Sequence, residues 1–199
     1  MKNILKNKPV AIFLIAVLLV LFTIFVMNMV DNIGDNLDNE VLIKTSMGDI
    51  TVELNPQKAP ITVENFLSYV DSSFYENLVF HRVMDGFMIQ GGGFEISGEQ
   101  KKTDAPIKLE SNNGLSNSEY TIAMARTTLL DSATSQFFIN VENNFPLDYS
   151  NVNPGYAVFG KVTKGQEVVD KIKVVETTTK NNMKNWPVEE IIIYSIKRA

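Results

Sequence analysis

The stretch Phe80-His81-Arg82-Val83-Met84-Asp85-Gly86-Phe87-Met88-Ile89-Gln90-Gly91-Gly92-Gly93-Phe94 places apolar and polar side chains within two residues of one another. It contains the only histidine of the chain, one of its three arginines and three consecutive glycines. A core strand rarely carries an arginine, and a loop rarely carries so many large apolar residues. The pattern therefore predicts the wall of a pocket, with extended backbone, an apolar floor and a few aimed hydrogen-bond donors.

Three later blocks follow this stretch in order, namely residues 120–126 (YTIAMAR), 135–140 (SQFFIN) and 156–162 (YAVFGKV). Together with the first stretch they resemble the cyclophilins, which are peptidyl-prolyl cis-trans isomerases. The likeness runs from about residue 41 to the C-terminus and is closest to the small bacterial members. The resemblance implies a mainly β fold, a closed eight-stranded antiparallel barrel capped by two helices.

The residues themselves also indicate a β-rich domain. Alternating side chains over 41–45 and 49–54 predict a hairpin. The run after Pro60 carries an apolar stripe at helical spacing, which predicts a helix over 62–72; the stripe is Val63, Phe66, Leu67 and Val70. A second helix is predicted over 166–172, and further strands over 107–109, 121–125, 136–141, 157–162 and 188–196. Many short strands without a βαβ rhythm favour a barrel or a sandwich.

The composition excludes several classes of function. The net charge is −5 and the part after residue 40 contains no basic run, so a nucleic-acid partner has no electrostatic support. The chain has no cysteine and one histidine, which excludes disulfides, thiolate metal sites and, in effect, a histidine-based metal site. We expect neither a metal nor a cofactor, and we expect a monomer.

The start of the chain predicts a membrane anchor. Residues 1–8 form a basic head, residues 9–30 are almost entirely apolar and residues 31–40 form an acidic linker before the domain at 41–199. A cleaved signal peptide is the alternative, but the apolar run ends without a small-residue cleavage site. A buried core helix is a poor fit to a leading segment that is apolar on all faces. Lysines before the span and acids after it predict a single-pass protein of the plasma (inner) membrane, with its domain in the periplasm or outside the cell.

Arg82 is the catalytic residue that the resemblance implies, because it matches the arginine of the family motif. In a regular strand His81 would point away from Arg82, towards the barrel interior or its rim. The ordinary interpretation of His81 is a hydrogen-bonded, partly buried side chain. A Ser-His-Asp triad is conceivable, but no nucleophile-elbow sequence is present.

The three glycines are interpreted as a bend or bulge rather than a phosphate loop.

The resemblance also implies the substrate-binding residues. Phe87, Met88, Phe138 and Leu147 would hold the proline ring; alternation along a strand sends one of Phe137 and Phe138 outward, where a pocket explains an exposed ring. Gln90 would donate to the substrate backbone beside Gln136, and Ala125 and Arg126 would line the groove through their main chain. Tyr156 stands where many members have a histidine. Pro146 stands where many members have an aromatic residue, and the resemblance implies that an indole at this position donates a hydrogen bond to cyclosporin. Because Pro146 has no side-chain donor and no N–H, we expect weak sensitivity to cyclosporin.

Three functions remain open from the sequence. The first is an isomerase that accelerates rotation about X-Pro bonds and assists the folding of exported proteins, with proline-containing polypeptides as its partners. The second is a non-catalytic module that binds proline peptides or acts as a chaperone. The third is an unrelated barrel enzyme such as a hydrolase. Turnover of a proline peptide separates the first from the second, and ester or peptide cleavage would support the third.

Overall fold

The computed structural model describes residues 12, 16–26 and 39–199. The chain divides into two units, Met1–Asp38 and Asn39–Ala199. In the first unit, residues 16–26 are helical and their side chains are exposed. The predicted basic head lies outside the described residues, as do half of the predicted anchor and most of the predicted linker. Among the residues that are described, no helix has both the length and the apolar character that crossing a bilayer requires.

Residues 39–199 contain ten strands, of which eight close into a barrel. In chain order the strands are β1 (Glu40–Thr45), β2 (Gly48–Leu54), β3 (Leu78–Met84), β4 (Met88–Glu95), β5 (Thr121–Met124), β6 (Phe137–Asn140), β7 (Val158–Lys164), β8 (Thr177–Lys180), β9 (Met183–Pro187) and β10 (Ile192–Arg198). The barrel order is β1-β10-β3-β4-β6-β5-β7-β2, and all neighbours are antiparallel. The predicted closed eight-stranded antiparallel barrel is therefore confirmed.

The β1–β2 hairpin shows how alternation builds the core. Every second side chain of these strands enters the barrel, and the fully buried members are Val41, Ile43, Ile50 and Val52. Thr45 Oγ1 donates to the carbonyl of Gly48 at 2.7 Å across the turn. Gly48 has a φ of +132°, which side-chain-bearing residues rarely adopt. The predicted hairpin is confirmed, and its turn requires the glycine.

Two helices pack their apolar faces on the barrel core. They are α1 (Pro60–Asp71) and α2 (Gln166–Lys173), close to the predicted ranges. Pro60 occupies the first turn of α1, where its missing N–H costs no helical hydrogen bond. The carboxylate of Glu110, from a distant loop, accepts the N–H groups of Ile61 and Thr62 at 3.1 and 2.8 Å. A residue 48 positions away from Thr62 therefore caps the start of α1.

Two predicted strands differ from the structure. Ile107 forms only an isolated bridge with Ala133, and the N–H of Leu109 donates to the Asp131 carboxylate at 2.9 Å. Residues 107–109 are thus loop, because their hydrogen bonds go to a bridge and a side chain rather than to a ladder. The last strand begins at Ile192 instead of residue 188, because the N–H of Val188 is bonded to the carbonyl of Glu176.

The β8–β9 hairpin was not predicted and forms a separate two-stranded sheet. Its turn residues Asn181 and Asn182 have φ values of 51° and 63°, a left-handed conformation in which asparagine is enriched. Trp186 of β9 is fully buried and donates its indole N–H to Glu190 at 2.9 Å. Its ring lies 6.2 Å from that of Phe94 on β4. The hairpin therefore packs on the outer face of the barrel at β3, beside Phe94 of β4.

Candidate functional site

A second apolar cluster lies on the outer side of the barrel wall, separate from the barrel core, and we take it as the candidate pocket. Its buried floor is Met88, Ala123, Phe138 and Val158, and its half-buried rim is Met84, Phe87, Leu115, Ala125, Leu147 and Tyr156. Phe137 is fully buried in the barrel core while Phe138 belongs to the pocket, because successive side chains of β6 point to opposite faces. The structure thus brings the predicted apolar site residues into one cluster.

A β-bulge in β3 turns Arg82 towards this pocket. Phe80 pairs with Gly91 and Arg82 pairs with Gln90, so two residues of β3 advance against one of β4. Phe80 and Val83 both enter the barrel core although they are three residues apart. The two residues between them therefore both lie on the outer face of the wall.

The guanidinium of Arg82 lies at the edge of the pocket. Its Nη1 donates to Gln90 Oε1 at 3.4 Å, and its Nη2 lies 3.0 Å from Met84 Sδ. Its Cζ is 5.9 Å from the centre of the Phe87 ring. Neither of these hydrogen-bond partners is a carboxylate, and both bonds are weak because one is long and the other goes to a thioether. A positive, donor-rich group thus faces the apolar floor without being neutralised by these partners.

His81 does not face the barrel interior or its rim, so that prediction is wrong. The bulge breaks strict alternation, and the His81 ring lies outside the barrel. Its centre is 4.5 Å from the centre of the Phe94 ring and 6.0 Å from that of the Trp186 ring. The predicted burial is confirmed, since the side chain is only 5% exposed, but its Nδ1 has no hydrogen-bond partner among the residues that the structure describes. Burial and then the neighbouring Arg82 charge lower the pKa of His81 to about 4, against the opposing effect of a hydrogen bond with the Val79 backbone.

Two glutamines extend the polar edge of the pocket. Gln90 pairs with Phe138 across β4 and β6, and its Nε2 donates to Gln136 Oε1 at 2.9 Å. Together with Arg82 this makes a chain of three side chains along the rim. Gly93 lies under Gln136, because a Cβ at Gly93 would stand 2.4 Å from Gln136 Cγ. The glycine run therefore leaves room for this glutamine, which is the close approach expected of glycine in a strand.

Leu147 reaches the rim from a short 3-10 helix, Phe145–Leu147. The carbonyl of Leu147 accepts the N–H of Tyr156 at 2.9 Å, which joins the two residues on one side of the pocket. The Tyr156 ring meets Phe138 edge to face, with centres 5.6 Å apart. Pro146 and Phe145 are exposed at this rim.

The side chain of Arg126 makes contacts of its own, beside the main-chain role that the resemblance implies. Its Nε and Nη2 both donate to the carbonyl of Gly155, at 3.0 and 2.8 Å, and its Cζ lies 4.6 Å from the centre of the Tyr156 ring. The side chain thus ties the end of β5 to the loop that carries Tyr156. The N–H of Ala125 donates to the carbonyl of Gln136 at 2.9 Å, so a main-chain role for Ala125 falls to its carbonyl.

Four polar residues that the sequence did not indicate lie beneath the Leu147 side of the pocket. Asn117 and Asn140 are fully buried, Asn144 is 9% exposed, and Asp148 follows the 3-10 helix. The Asp148 carboxylate accepts the backbone N–H of Asn117 at 2.6 Å and also the hydroxyl of Ser116. Buried amides without periodicity resemble loop residues in a sequence. One signal of the buried amides was present in the sequence, namely Asn140 at the end of the otherwise apolar strand Phe137–Asn140.

The pocket offers binding and hydrogen-bond donation. The polar groups at its edge are the guanidinium of Arg82 and the amides of Gln90 and Gln136. No group of three or more His, Cys, Asp or Glu side chains within residues 12, 16–26 and 39–199 could hold a metal ion. The arrangement can hold a small apolar ring on the floor and donate a hydrogen bond to an atom at the ring's edge.

Known proteins share this architecture. The family model described as "Cyclophilin type peptidyl-prolyl cis-trans isomerase/CLD" matches residues 40–198. Peptidyl-prolyl cis-trans isomerase A of Dickeya dadantii is 54% identical over 157 residues, which cover 79% of this chain and 83% of that protein. Peptidyl-prolyl cis-trans isomerase B of Escherichia coli is 50% identical over 159 residues, which cover 78% of this chain and 97% of the relative.

Solved structures are similar as well. A cyclophilin-type peptidyl-prolyl cis-trans isomerase of Cryptosporidium parvum, crystallised in the presence of the dipeptide Ala-Pro, superposes with a TM-score of 0.65 at 28% sequence identity. The superposition covers 80% of this chain and 98% of that protein. A second structure of the same protein gives a TM-score of 0.66 at 27% identity. The likeness therefore extends over the whole of the C. parvum domain.

Proposed function

The chain belongs to the cyclophilin-type peptidyl-prolyl cis-trans isomerase family, and on this premise we propose that the pocket beside Arg82 is its active site. The reaction is rotation about the amide bond that precedes a proline. One observation carries the proposal: the Arg82 guanidinium lies at the edge of an apolar pocket, 5.9 Å from the Phe87 ring, and its side-chain partners there are uncharged.

The chemistry needs no nucleophile because no covalent bond is broken. The uncatalysed rotation has a barrier of about 18–20 kcal/mol and takes tens to hundreds of seconds. In the twisted transition state the amide loses its resonance and the proline nitrogen regains a lone pair. Arg82 donates a hydrogen bond to that nitrogen, which is a poor acceptor in either planar ground state. The interaction therefore stabilises the transition state selectively.

The rest of the pocket holds one side of the bond while the other turns. The floor formed by Met88 and Phe138 takes the proline ring, and Gln90 donates to the neighbouring main chain of the substrate. Gln136 orients Gln90 through their 2.9 Å hydrogen bond. A rate enhancement of five decades requires about 7 kcal/mol. Orientation together with one charge-assisted hydrogen bond is of this order.

The test of this active site compares two adjacent side chains. Arg82→Ala should lower kcat/KM for a proline tetrapeptide at least about tenfold, which is roughly 1.4 kcal/mol. His81→Gln is the control, because His81 lies outside the pocket, and it should cost much less. Isomerisation is measured by NMR exchange or by coupling to a protease, with folding of both variants checked by circular dichroism. If the two effects are reversed in folded variants, the proposed roles are wrong.

We further propose that the domain is tethered to the plasma membrane and serves exported proteins. The support is in the sequence: Lys2, Lys6 and Lys8 precede an uncharged apolar run over 9–27, and acids follow it. The full-length protein should sediment with membranes and resist extraction by high salt or carbonate. Added protease should reach the domain once the outer barrier is opened. A mature protein that begins near residue 30 would refute the anchor and leave a freely exported domain.

A further inference from the structure

Three buried asparagines connect the two sides of the pocket. The Nδ2 of Asn144 donates to the carbonyl of Phe87 at 2.6 Å and to Asn140 Oδ1 at 2.8 Å. The Nδ2 of Asn140 lies 3.3 Å from Asn117 Oδ1 and 3.0 Å from Thr121 Oγ1. The network therefore runs from the β3–β4 turn, which carries Phe87, through the end of β6 to the start of β5.

The same three residues hold the 3-10 helix on the opposite rim. The N–H of Asn144 donates to the carbonyl of Asn117 at 2.8 Å, and the carbonyl of Asn144 accepts the N–H of Leu147 at 2.8 Å. The Nδ2 of Asn117 lies 3.2 Å from the carbonyl of Leu147. The main-chain atoms of Phe87 and Leu147 are thus direct partners of the network, although the asparagines themselves do not line the pocket.

We propose that Asn117, Asn140 and Asn144 form a positioning network that sets the spacing between Phe87 and Leu147, and through it the affinity of the pocket for a proline ring. The inference rests on the proposed function, because it assumes that the ring binds between these two side chains. Asn144 is the central member, since its amide hydrogens bond the Phe87 side while its main chain bonds the Leu147 side. A buried hydrogen-bonded network of this kind favours one arrangement of its surroundings.

The network should affect binding more than turnover. The proline ring lies between the same side chains in the ground state and in the transition state, because the rotation occurs outside the ring. A change in the spacing of Phe87 and Leu147 therefore weakens both states about equally. Loss of uniform binding raises KM and leaves kcat unchanged. A purely structural role predicts the opposite, because partial unfolding lowers the concentration of active enzyme and hence the apparent kcat, without changing KM.

The test uses two substitutions of Asn144 in the full-length chain. Asn144→Ala removes both amide donor bonds, and Asn144→Asp keeps the shape but places an acceptor against the Phe87 and Asn140 oxygens. Gln166→Ala is the matched control, because the Gln166 amide also donates to a backbone carbonyl, that of Val162 at 3.2 Å, away from the pocket. The kcat and KM are measured by NMR exchange on an Ala-Pro-containing tetrapeptide. The Kd of the same peptide is obtained by titration.

We expect Asn144→Ala to raise KM and Kd about three- to tenfold, with kcat within about twofold, as loss of one or two hydrogen bonds implies. Asn144→Asp should raise them further, and Gln166→Ala should leave both unchanged. Unchanged KM in a folded Asn144→Ala variant, or a lower kcat at constant KM, would overturn the inference. A wild-type chain without turnover, or an Arg82→Ala variant with full turnover, would refute the proposed function instead.

Discussion

Acid should destabilise the fold through His81. The ring is 5% exposed, and burial followed by the Arg82 charge lowers its pKa from 6.5 to about 4. The unfolded chain takes up the proton near pH 6.5, whereas the folded protein stays neutral until about pH 4. The unfolded state therefore binds more protons between these values, and stability falls as the pH drops through them. Proton linkage to this residue alone lowers the free energy of unfolding by about 2 kcal/mol between pH 7 and pH 4.5.

The measurement compares urea unfolding of the wild type and His81→Gln at pH 7 and pH 4.5. The free energy of unfolding should fall by about 2 kcal/mol more in the wild type than in the variant across this interval, because glutamine does not titrate. Carboxylates such as Asp71 and Asp170, whose pKa values are lowered by hydrogen bonds from Arg198 and Lys173, contribute equally to both proteins and cancel. Equal losses in the two proteins would refute the assignment of a buried neutral histidine.

Two further predictions concern residues at the rim of the pocket. Gly93→Ala should displace Gln136, because its Cγ would lie 2.4 Å from the new Cβ, and the hydrogen bond between Gln136 and Gln90 should break. The kcat/KM should therefore fall about tenfold, while the far-ultraviolet circular dichroism spectrum stays unchanged. Pro146→Trp should tighten cyclosporin binding by roughly one to two decades, because Pro146 is exposed beside Leu147 and offers neither a side-chain donor nor an N–H. Nanomolar binding of cyclosporin to the unmodified chain would contradict that reasoning.

Only part of the pocket could be predicted from local rules, and the rest came from the resemblance to the family. Phe137 and Phe138 occupy opposite faces as alternation requires, and the same rule placed the core residues of the first hairpin. The direction of His81 could not be predicted, because alternation holds only while each residue of a strand faces one on its neighbour. The bulge opposite Gln90 breaks that condition, and it depends on pairing with β4.

The asparagine network also escaped prediction, for a different reason. Asn117 lies 23 positions before Asn140, and the two are partners only because the barrel brings β5 and β6 together. Amide side chains carry no periodicity, so their burial is a consequence of the tertiary fold. The engaged side chain of Arg126 is a similar case, since its partner carbonyl at Gly155 is 29 positions away. Sequence patterns identify the residues of such sites when the interacting residues are close in sequence. They do not identify them when the partners are brought together only by the tertiary fold.

The barrel closes by pairing β1 with β10, and Val41 lies opposite Arg198. While β10 is still missing from a chain under synthesis, β1 and β3 each keep an unpaired edge. Until β10 pairs, the domain remains an open sheet with two unpaired edges, and these edges are protected from aggregation only once β10 is in place.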